Sequence, residues 1–267
     1  MRTINNRNQR RKHALAARKR MPVPILPRLI IDPELTRPQG GYALWGSRLF
    51  SLVAVCLGAP IALAASLLVA CANLLVFRDP RKVLYTQSRM GYRGQAFKIY
   101  KFRTMYEAAD CFGSWSGGVD QQRVTKLGRF LRSSHLDEIP QLWNVLRGDM
   151  NLIGPRPEML EIHVWAEDEV HGFANRLDVR PGITGLAQVT QGYTGRSAEA
   201  YAEKLAIDER YIQQQSLRFD LSVACQTVVW MIRGKGWSWN QTQAPETAAA
   251  LPEACDEPAQ PNPREAA

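Results

Sequence analysis

Hydrophobic and polar positions fall along this chain in blocks of very different texture. Residues 49–77 contain no charged side chain over 29 positions, well beyond the roughly 18 at which a membrane helix is expected. As a straight helix this run would measure about 43 Å, against a hydrocarbon core of about 30 Å. Pro60 lies inside it. Its ring removes a backbone donor and crowds the preceding turn, so a bend is predicted near Ala59-Pro60. Farther on, polar and apolar residues alternate on both sides of Gly91-Tyr92-Arg93-Gly94 between residues 83 and 105, the pattern of a β-hairpin. The Gly- and Ser-rich stretch 111–120 reads as a loop over a site. Helical patterns follow at about 125–131, 161–171 and 198–215, the last amphipathic. Residues 221–232 are too few to span a bilayer and suit an interfacial or core helix. Residues 151–157 and 180–185 carry prolines and glycines and read as rigid turns. The glycines of the second turn suit either a close backbone approach to substrate or plain architecture.

The fold class is therefore α+β. An N-terminal membrane helix, re-entrant or single-span, joins a small helical domain that carries a β-hairpin and interfacial amphipathic helices. The domain boundaries read as a basic flexible arm at 1–41, the membrane segment at 42–78, a cytoplasmic domain at 79–240 and a disordered tail at 241–267. That tail is rich in Ala, Pro and Glu.

Charge sharpens the topology. The first 20 residues hold eight Lys or Arg and no acid. About 28 residues separate Arg20 from the uncharged run, unlike a secretory signal, whose basic region abuts its apolar core. Beside an anionic leaflet each cation contributes up to about 1 kcal/mol, so the arm reads as a membrane clamp or as a solvated tail. On the other flank, residues 78–103 hold eight Lys or Arg against one acid, Asp79. Both flanks favour the cytoplasmic side. A helix bent at Pro60 and returning to the same face satisfies both, and a tilted ordinary span stays open. In Arg233-Gly-Lys-Gly-Trp-Ser-Trp239, cations and tryptophans mix as they do at headgroup depth.

A net charge of +9 over 267 residues admits nucleic acid, anionic membrane or phosphorylated substrates as partners. The cations cluster beside the hydrophobic segment and no recognition motif for nucleic acid occurs, so that class is set aside. Five cysteines lie far apart with no C-x-x-C pair. They suggest neither a zinc site nor a disulfide framework, and the catalytic part reads as reduced and cytoplasm-facing. No Walker A or G-x-G-x-x-G is present, so any nucleotide must be held by other contacts.

The chemistry concentrates in residues 136–158, LDEIPQLWNVLRGDMNLIGPRPE. Two adjacent carboxylates, Asp137 and Glu138, precede two arginines, Arg147 and Arg156. A carboxylate can attack phosphorus to give an acyl phosphate while arginines and a divalent cation neutralise the charge that opposes it. The same Asp-Glu pair is also what a helix N-terminus looks like. Ser134 stands three residues before Asp137, a capping-box-like spacing, and Pro140 falls in the first turns. Free amides at such a terminus can help hold phosphate oxygens. Lys101 and Arg103 share one face of the second hairpin strand and on spacing alone read as a solvated face. His163 and His171 are eight apart with no third ligand, so no metal is assigned there.

Together with Lys101-Phe-Arg-Thr-Met105 before it and Arg180-Pro-Gly-Ile-Thr-Gly-Leu-Ala-Gln188 after it, this stretch resembles the bacterial sugar transferase family. These are the monotopic polyprenyl-phosphate phosphoglycosyl transferases that start surface-glycan assembly. The resemblance covers roughly residues 42–236, with three motifs in the family's order. It implies that Asp137 attacks the sugar-linked phosphate of a nucleoside-diphosphate sugar, expels the nucleoside monophosphate and becomes an aspartyl phosphosugar. Polyprenyl phosphate then takes the phosphosugar. It further implies Mg²⁺ with Asp137 as ligand, Glu138 as the orienting partner, and Arg132 and Arg156 as phosphate clamps. Arg132 precedes Asp137 by five residues, the family spacing. Lys101, Arg103 and Arg180 are expected toward substrate phosphate or lipid headgroups. Arg196 lies in a segment with extra residues relative to the family, and the Gly-Arg phosphate-binding role would fall on it. His135 occupies a position where the family commonly has a small hydroxyl residue. The implied partners are a nucleoside-diphosphate sugar (a UDP-sugar), polyprenyl phosphate and anionic inner-leaflet lipids, at the cytoplasmic face of a bacterial inner membrane. A homodimer is allowed without being required. Two other readings stand beside this one: a glycosyl transferase onto a lipid carrier that releases nucleoside diphosphate, and a non-catalytic basic membrane adaptor.

Overall fold

The computed structural model describes residues 40–106, 123–192, 194–195 and 197–233. The basic arm up to residue 39, the 111–120 loop, Arg196, the tryptophan-rich segment after Arg233 and the 241–267 tail lie outside them.

A short π-helical turn, Tyr42–Gly46, leads into α1, Ser47–Phe77. Pro60 lies within α1, which is helical on both sides of it. Among the described residues, this is the one helix long and apolar enough to cross a membrane. Its two ends are nonetheless docked on the rest of the protein. Near the start, the Ser51 hydroxyl donates to the Ser47 carbonyl (2.8 Å) and accepts from the Leu152 amide (3.0 Å). Arg48 donates to the carbonyls of Met150 (3.0 Å) and Leu146 (3.2 Å), and also to that of Val145. Near the far end, Asn73 Nδ2 donates to the carbonyls of Val83 (3.1 Å) and Arg103 (3.0 Å). Between these anchors, Leu57, Ile61, Leu63, Leu67 and Leu68 leave 66–78% of their surface exposed. The helix stops where Arg78 turns left-handed, at φ 52°.

The hairpin forms as its alternation predicts. Strands β1, Leu84–Met90, and β2, Ala96–Phe102, pair antiparallel with Leu84 opposite Phe102. Helix α2, Lys126–Ser133, starts at Thr125, whose side chain accepts from the Gly128 amide (2.8 Å). A 3₁₀ turn, Leu136–Glu138, then leads to α3, Gln141–Arg147, which ends at Gly148 with φ 93°. The Ser134 hydroxyl does not cap this turn. It donates back to the Phe130 carbonyl of α2 (2.7 Å), and the residue that opens the turn is His135, in a left-handed conformation at φ 57°.

Each of the two segments read as a rigid turn contains a three-residue strand, while residues 154–157 stay non-helical as their prolines predict. β3, Asn151–Ile153, pairs in parallel with β4, Gly182–Thr184. A Cβ at Gly182 would lie 2.2 Å from the Gly154 amide nitrogen, and one at Gly185 would lie 2.2 Å from the Gly154 carbonyl oxygen. These glycines therefore let two backbone segments approach each other, the architectural alternative of the two. Helices α4, Leu160–Glu169, α5, Leu186–Thr190, α6, Ala198–Gln214, and α7, Leu217–Ile232, complete the fold. The core is continuous with α1. Val55 packs in a cluster with Ile99, Val145 and Met150, and Val69 in another with Phe102 and Leu131. The apolar run is thus part of the body that carries the Asp137-Glu138 turn, and helices combine with two small sheets.

Candidate active site

The 3₁₀ turn 136–138 sits between α2 and α3 and packs against β2. Its two carboxylates are brought to one place with three of the sequence-selected cations. Lys101 Nζ, from β2, pairs with Glu138 Oε1 at 2.6 Å. Arg156, just past β3, donates through Nη1 to Glu138 Oε2 (3.2 Å) and through Nη2 to Glu138 Oε1. The remaining reach of Arg156 goes to the Ile183 carbonyl (3.0 Å) on β4. Burial alone would raise the Glu138 pKa, but Arg156 and Lys101 outweigh it and hold the carboxyl well below the ordinary range. Glu138 is thus a permanent anion fixed by two cations.

Asp137 is 8% exposed and makes no hydrogen bond or ion pair with a described side chain or amide. Burial pushes its carboxyl up to about 6, against the pull of Lys101, while the Glu138 charge pushes the same way as burial. Arg132 and Arg156 also pull it down. Arg132 is oriented by α2, with Nε donating to Thr104 Oγ1 at 2.9 Å. The result is an uncommitted, partly desolvated carboxylate ringed by positive charge. That arrangement can receive an anionic phosphoryl group.

Mg²⁺ characteristically keeps several waters and takes one or two carboxylates together with substrate phosphates. Asp137 fits that donor set, being a carboxylate with no partner of its own among the described residues. No cluster of three or more His, Cys, Asp or Glu able to hold a metal occurs among the described residues, so the remaining ligands would come from phosphate oxygens and water.

Other expectations change. Lys101 is not on a solvated strand face, because its ammonium is turned into Glu138. Arg180 is placed elsewhere: Nε donates to the Gly148 carbonyl (3.2 Å), and the guanidinium lies over the Tyr92 ring, 5.2 Å from its centroid. It ties the end of α3 to the hairpin turn. Arg103 follows β2, its amide bonded to Val83 and its carbonyl to Asn73. Arg147 reaches the Tyr100 hydroxyl (3.4 Å) and Asp149 (3.5 Å) and stays outside the cluster. Arg196 lies outside the described residues.

Sequence reasoning missed the residues that hold the site in shape. Asn144 receives the Tyr100 amide (3.2 Å) and donates to the Lys98 carbonyl (2.7 Å) and Asp149 (2.9 Å), locking β2 to α3 beside Lys101. Arg176 Nη2 donates to the Arg156 carbonyl (2.8 Å) and pairs with Asp208 (2.7 Å), while its Nη1 reaches Glu158 (3.4 Å). Glu158 also accepts from Lys204. Burial would raise Glu158, yet Lys204 and Arg176 bring it down to about 2. No spacing rule links these residues, which come from different elements. His135 stacks on Trp230 of α7 with ring centroids 5.6 Å apart, closing one side of the turn.

The profile described as "Bacterial sugar transferase" matches residues 42–234. Among curated relatives, a UDP-N-acetylgalactosamine-undecaprenyl-phosphate N-acetylgalactosaminephosphotransferase of Aeromonas hydrophila is 37% identical over 66% of this chain and 41% of its own length. A UDP-glucose:undecaprenyl-phosphate glucose-1-phosphate transferase of Caulobacter vibrioides is 41% identical over 62% of this chain and 63% of its own. The exopolysaccharide production protein ExoY of Rhizobium meliloti is 34% identical over 76% of this chain and 93% of its own. The chain thus spans less than two thirds of the length of two of these relatives and nearly all of the third. With its matched region running from the π-helical turn before α1 to the end of α7, this chain belongs to the bacterial sugar transferase family.

Proposed function

We propose that this protein transfers a phosphosugar from a UDP-sugar to polyprenyl phosphate, with Asp137 as the nucleophile. The observation that carries this reading is the contrast within the Asp-Glu pair, where Glu138 is held by Lys101 and Arg156 and Asp137 has no hydrogen-bond or ion-pair partner among the described residues. A carboxyl titrating near 6 is largely ionised at neutral pH and more basic than an ordinary aspartate, which suits attack on phosphorus. In the first half-reaction an Asp137 carboxylate oxygen bonds to the sugar-linked phosphorus, and the bond from that phosphorus to the bridging oxygen breaks. The electron pair leaves with UMP. In the second, a phosphate oxygen of polyprenyl phosphate attacks the same phosphorus and the Asp137 oxygen departs, giving polyprenyl-diphosphate sugar and free enzyme. Arg132 and Arg156 stand where they can neutralise charge on the transferred group, and Glu138 keeps Lys101 and Arg156 in place through both steps. Mg²⁺, when bound, supplies further neutralisation at the diphosphate. The names of the Aeromonas and Caulobacter relatives, which specify undecaprenyl phosphate and UDP-sugars, support the same substrate classes.

The site works on a lipid, and the apolar surfaces fit that. Besides the middle of α1, the exposed residues Leu217, Leu221, Val228 and Ile232 of α7 and Trp143 of α3 present apolar side chains to the surroundings. Both ends of α1 dock on the same body, which supports a re-entrant segment in a bacterial inner membrane, with the site on the cytoplasmic face. Membranes supplied with polyprenyl phosphate and a panel of UDP-sugars test the reaction. UMP release that stops in excess EDTA is expected. Release of UDP would mean glycosyl transfer instead. In-cell function surviving Asp137→Asn would point to an adaptor.

A further inference from the structure

On the side of the domain formed by the end of α4 and the first three turns of α6 lies an open groove of about 490 Å³. Its floor is apolar and shallow, made of Val170, Ala198, Ala202, Leu205 and Ala206, and its rim carries His171 together with Glu169, Glu199 and Glu209. None of the chemistry above uses it. Helix α4 ends in Glu167-Asp168-Glu169 with no basic residue in its last turn. Three carboxylates thus meet the negative end of the helix dipole, where cations are favoured. Glu169 and Glu199 form no ion pair with a described residue. Among the described residues that line this groove, His171 is the one basic side chain, and no Lys or Arg stands at a place where the backbone itself favours a cation.

The chain carries a segment of matching pattern. Arg10-Arg11-Lys12 and Arg18-Lys19-Arg20 flank Ala14-Leu15-Ala16-Ala17, a small apolar patch between two basic clusters. Of the net charge of +9, the first 20 residues carry +8. The route is short as well. The Tyr42 hydroxyl donates to Asp220 Oδ2 (2.7 Å), and Asp220 Oδ1 accepts from Tyr211 (2.8 Å) near the end of α6. Tyr211 is nine residues beyond Ala202 on the same helix, about 14 Å away. Residues 21–39 can extend to about 60 Å, ample to return from Tyr42 to the groove.

We propose that residues 10–20 of this chain dock in the α4–α6 groove, the Ala-Leu-Ala-Ala patch on its apolar floor and the flanking cations against Glu169 and Glu199. The arm's partner is then the protein's own body, and anionic lipid competes for the same cations. This inference does not depend on the reaction proposed above.

The full-length protein in zwitterionic phosphatidylcholine vesicles, with its native cysteines replaced and single cysteines at Ala17 and Ala202, tests it with a short bifunctional maleimide. Docking should give intrachain cross-linking roughly tenfold above a control pair at Ala17 and Lys126, because a bound segment has a raised effective concentration. Glu169→Lys with Glu199→Lys should bring the yield down to the control, and adding Arg18→Glu, Lys19→Glu and Arg20→Glu should restore it. Glu169 and Glu199 are exposed, and the charge swap separates docking from a folding defect. A yield no higher than the control, or one indifferent to charge reversal, overturns the proposal. Links formed mainly between two differently tagged copies would assign the groove to a second chain and overturn it too.

Discussion

Glu138 accepts hydrogen bonds from Lys101 and Arg156 while its neighbour Asp137, in the same turn, accepts none from the described residues. Removing each carboxylate should therefore have different consequences. Asp137→Asn keeps the shape of the side chain but cannot form an acyl phosphate, so turnover should fall by about 10³ or more. Its thermal stability should not fall, since a buried carboxyl whose pKa is raised gains nothing from being ionised. Glu138→Gln leaves Lys101 and Arg156 without their counter-charge and should cost about 3 kcal/mol of stability as well as activity. A radiolabelled phosphosugar should mark wild type and not the Asn variant, and calorimetry separates the two stabilities. Equal labelling of the Asn variant would remove Asp137 from its role.

Arg180 belongs to the family-like motif but is bound to Gly148 and Tyr92. Arg180→Ala should lower stability by about 1 kcal/mol through the lost hydrogen bond and ring contact. The KM for the sugar donor should stay within about twofold of wild type. Steady-state kinetics beside a denaturant titration checks both, and a tenfold rise in KM without destabilisation would restore a substrate-binding role.

Acid stability should depend on Glu158. Its carboxyl is brought down from an ordinary 4.5 to about 2 by Lys204 and Arg176, against the upward push of burial. A depressed carboxyl stabilises the fold above its unfolded value, and that stability is lost as pH falls through the folded one. The contribution, about 3 kcal/mol, should be complete above roughly pH 5 and fade toward pH 2. Unfolding free energy measured across this window should slope less steeply in Glu158→Gln than in wild type. Equal slopes would show that other carboxyls set the acid limit.

The topology is testable without reference to activity. Single cysteines at Asn5 and at Gln260, in a background lacking native cysteines, should both resist a membrane-impermeant maleimide on intact cells and both react after lysis. Labelling of one from outside would make α1 a true span. Pro60→Leu should shift molecules toward spanning and lower activity, because a continuous helix no longer favours return to the same face. An unchanged pattern in that variant would assign the return to the docking of Ser51 and Asn73 at the two ends of α1.

What the sequence determined by itself was local or periodic. The charge-free run that becomes α1, the alternation that becomes the β1–β2 hairpin and the adjacency of Asp137 and Glu138 need no distant partner to be recognised. Their physical causes, bilayer thickness, the two-residue pleat and the chemistry of neighbouring carboxylates, act over a few residues. Tertiary structure decided what depends on partners far along the chain. Strands β3 and β4 are three residues each, too short to show a period, and exist because Gly154, Gly182 and Gly185 let separate segments meet. Lys101, 37 positions before Glu138, becomes a buried ion-pair partner only when β2 lies against the 136–138 turn. Arg180 has the residue type of a phosphate clamp, but its direction was set by Gly148 and Tyr92. Side-chain type follows from sequence, whereas direction is set by whichever distant groups the packed chain brings within reach.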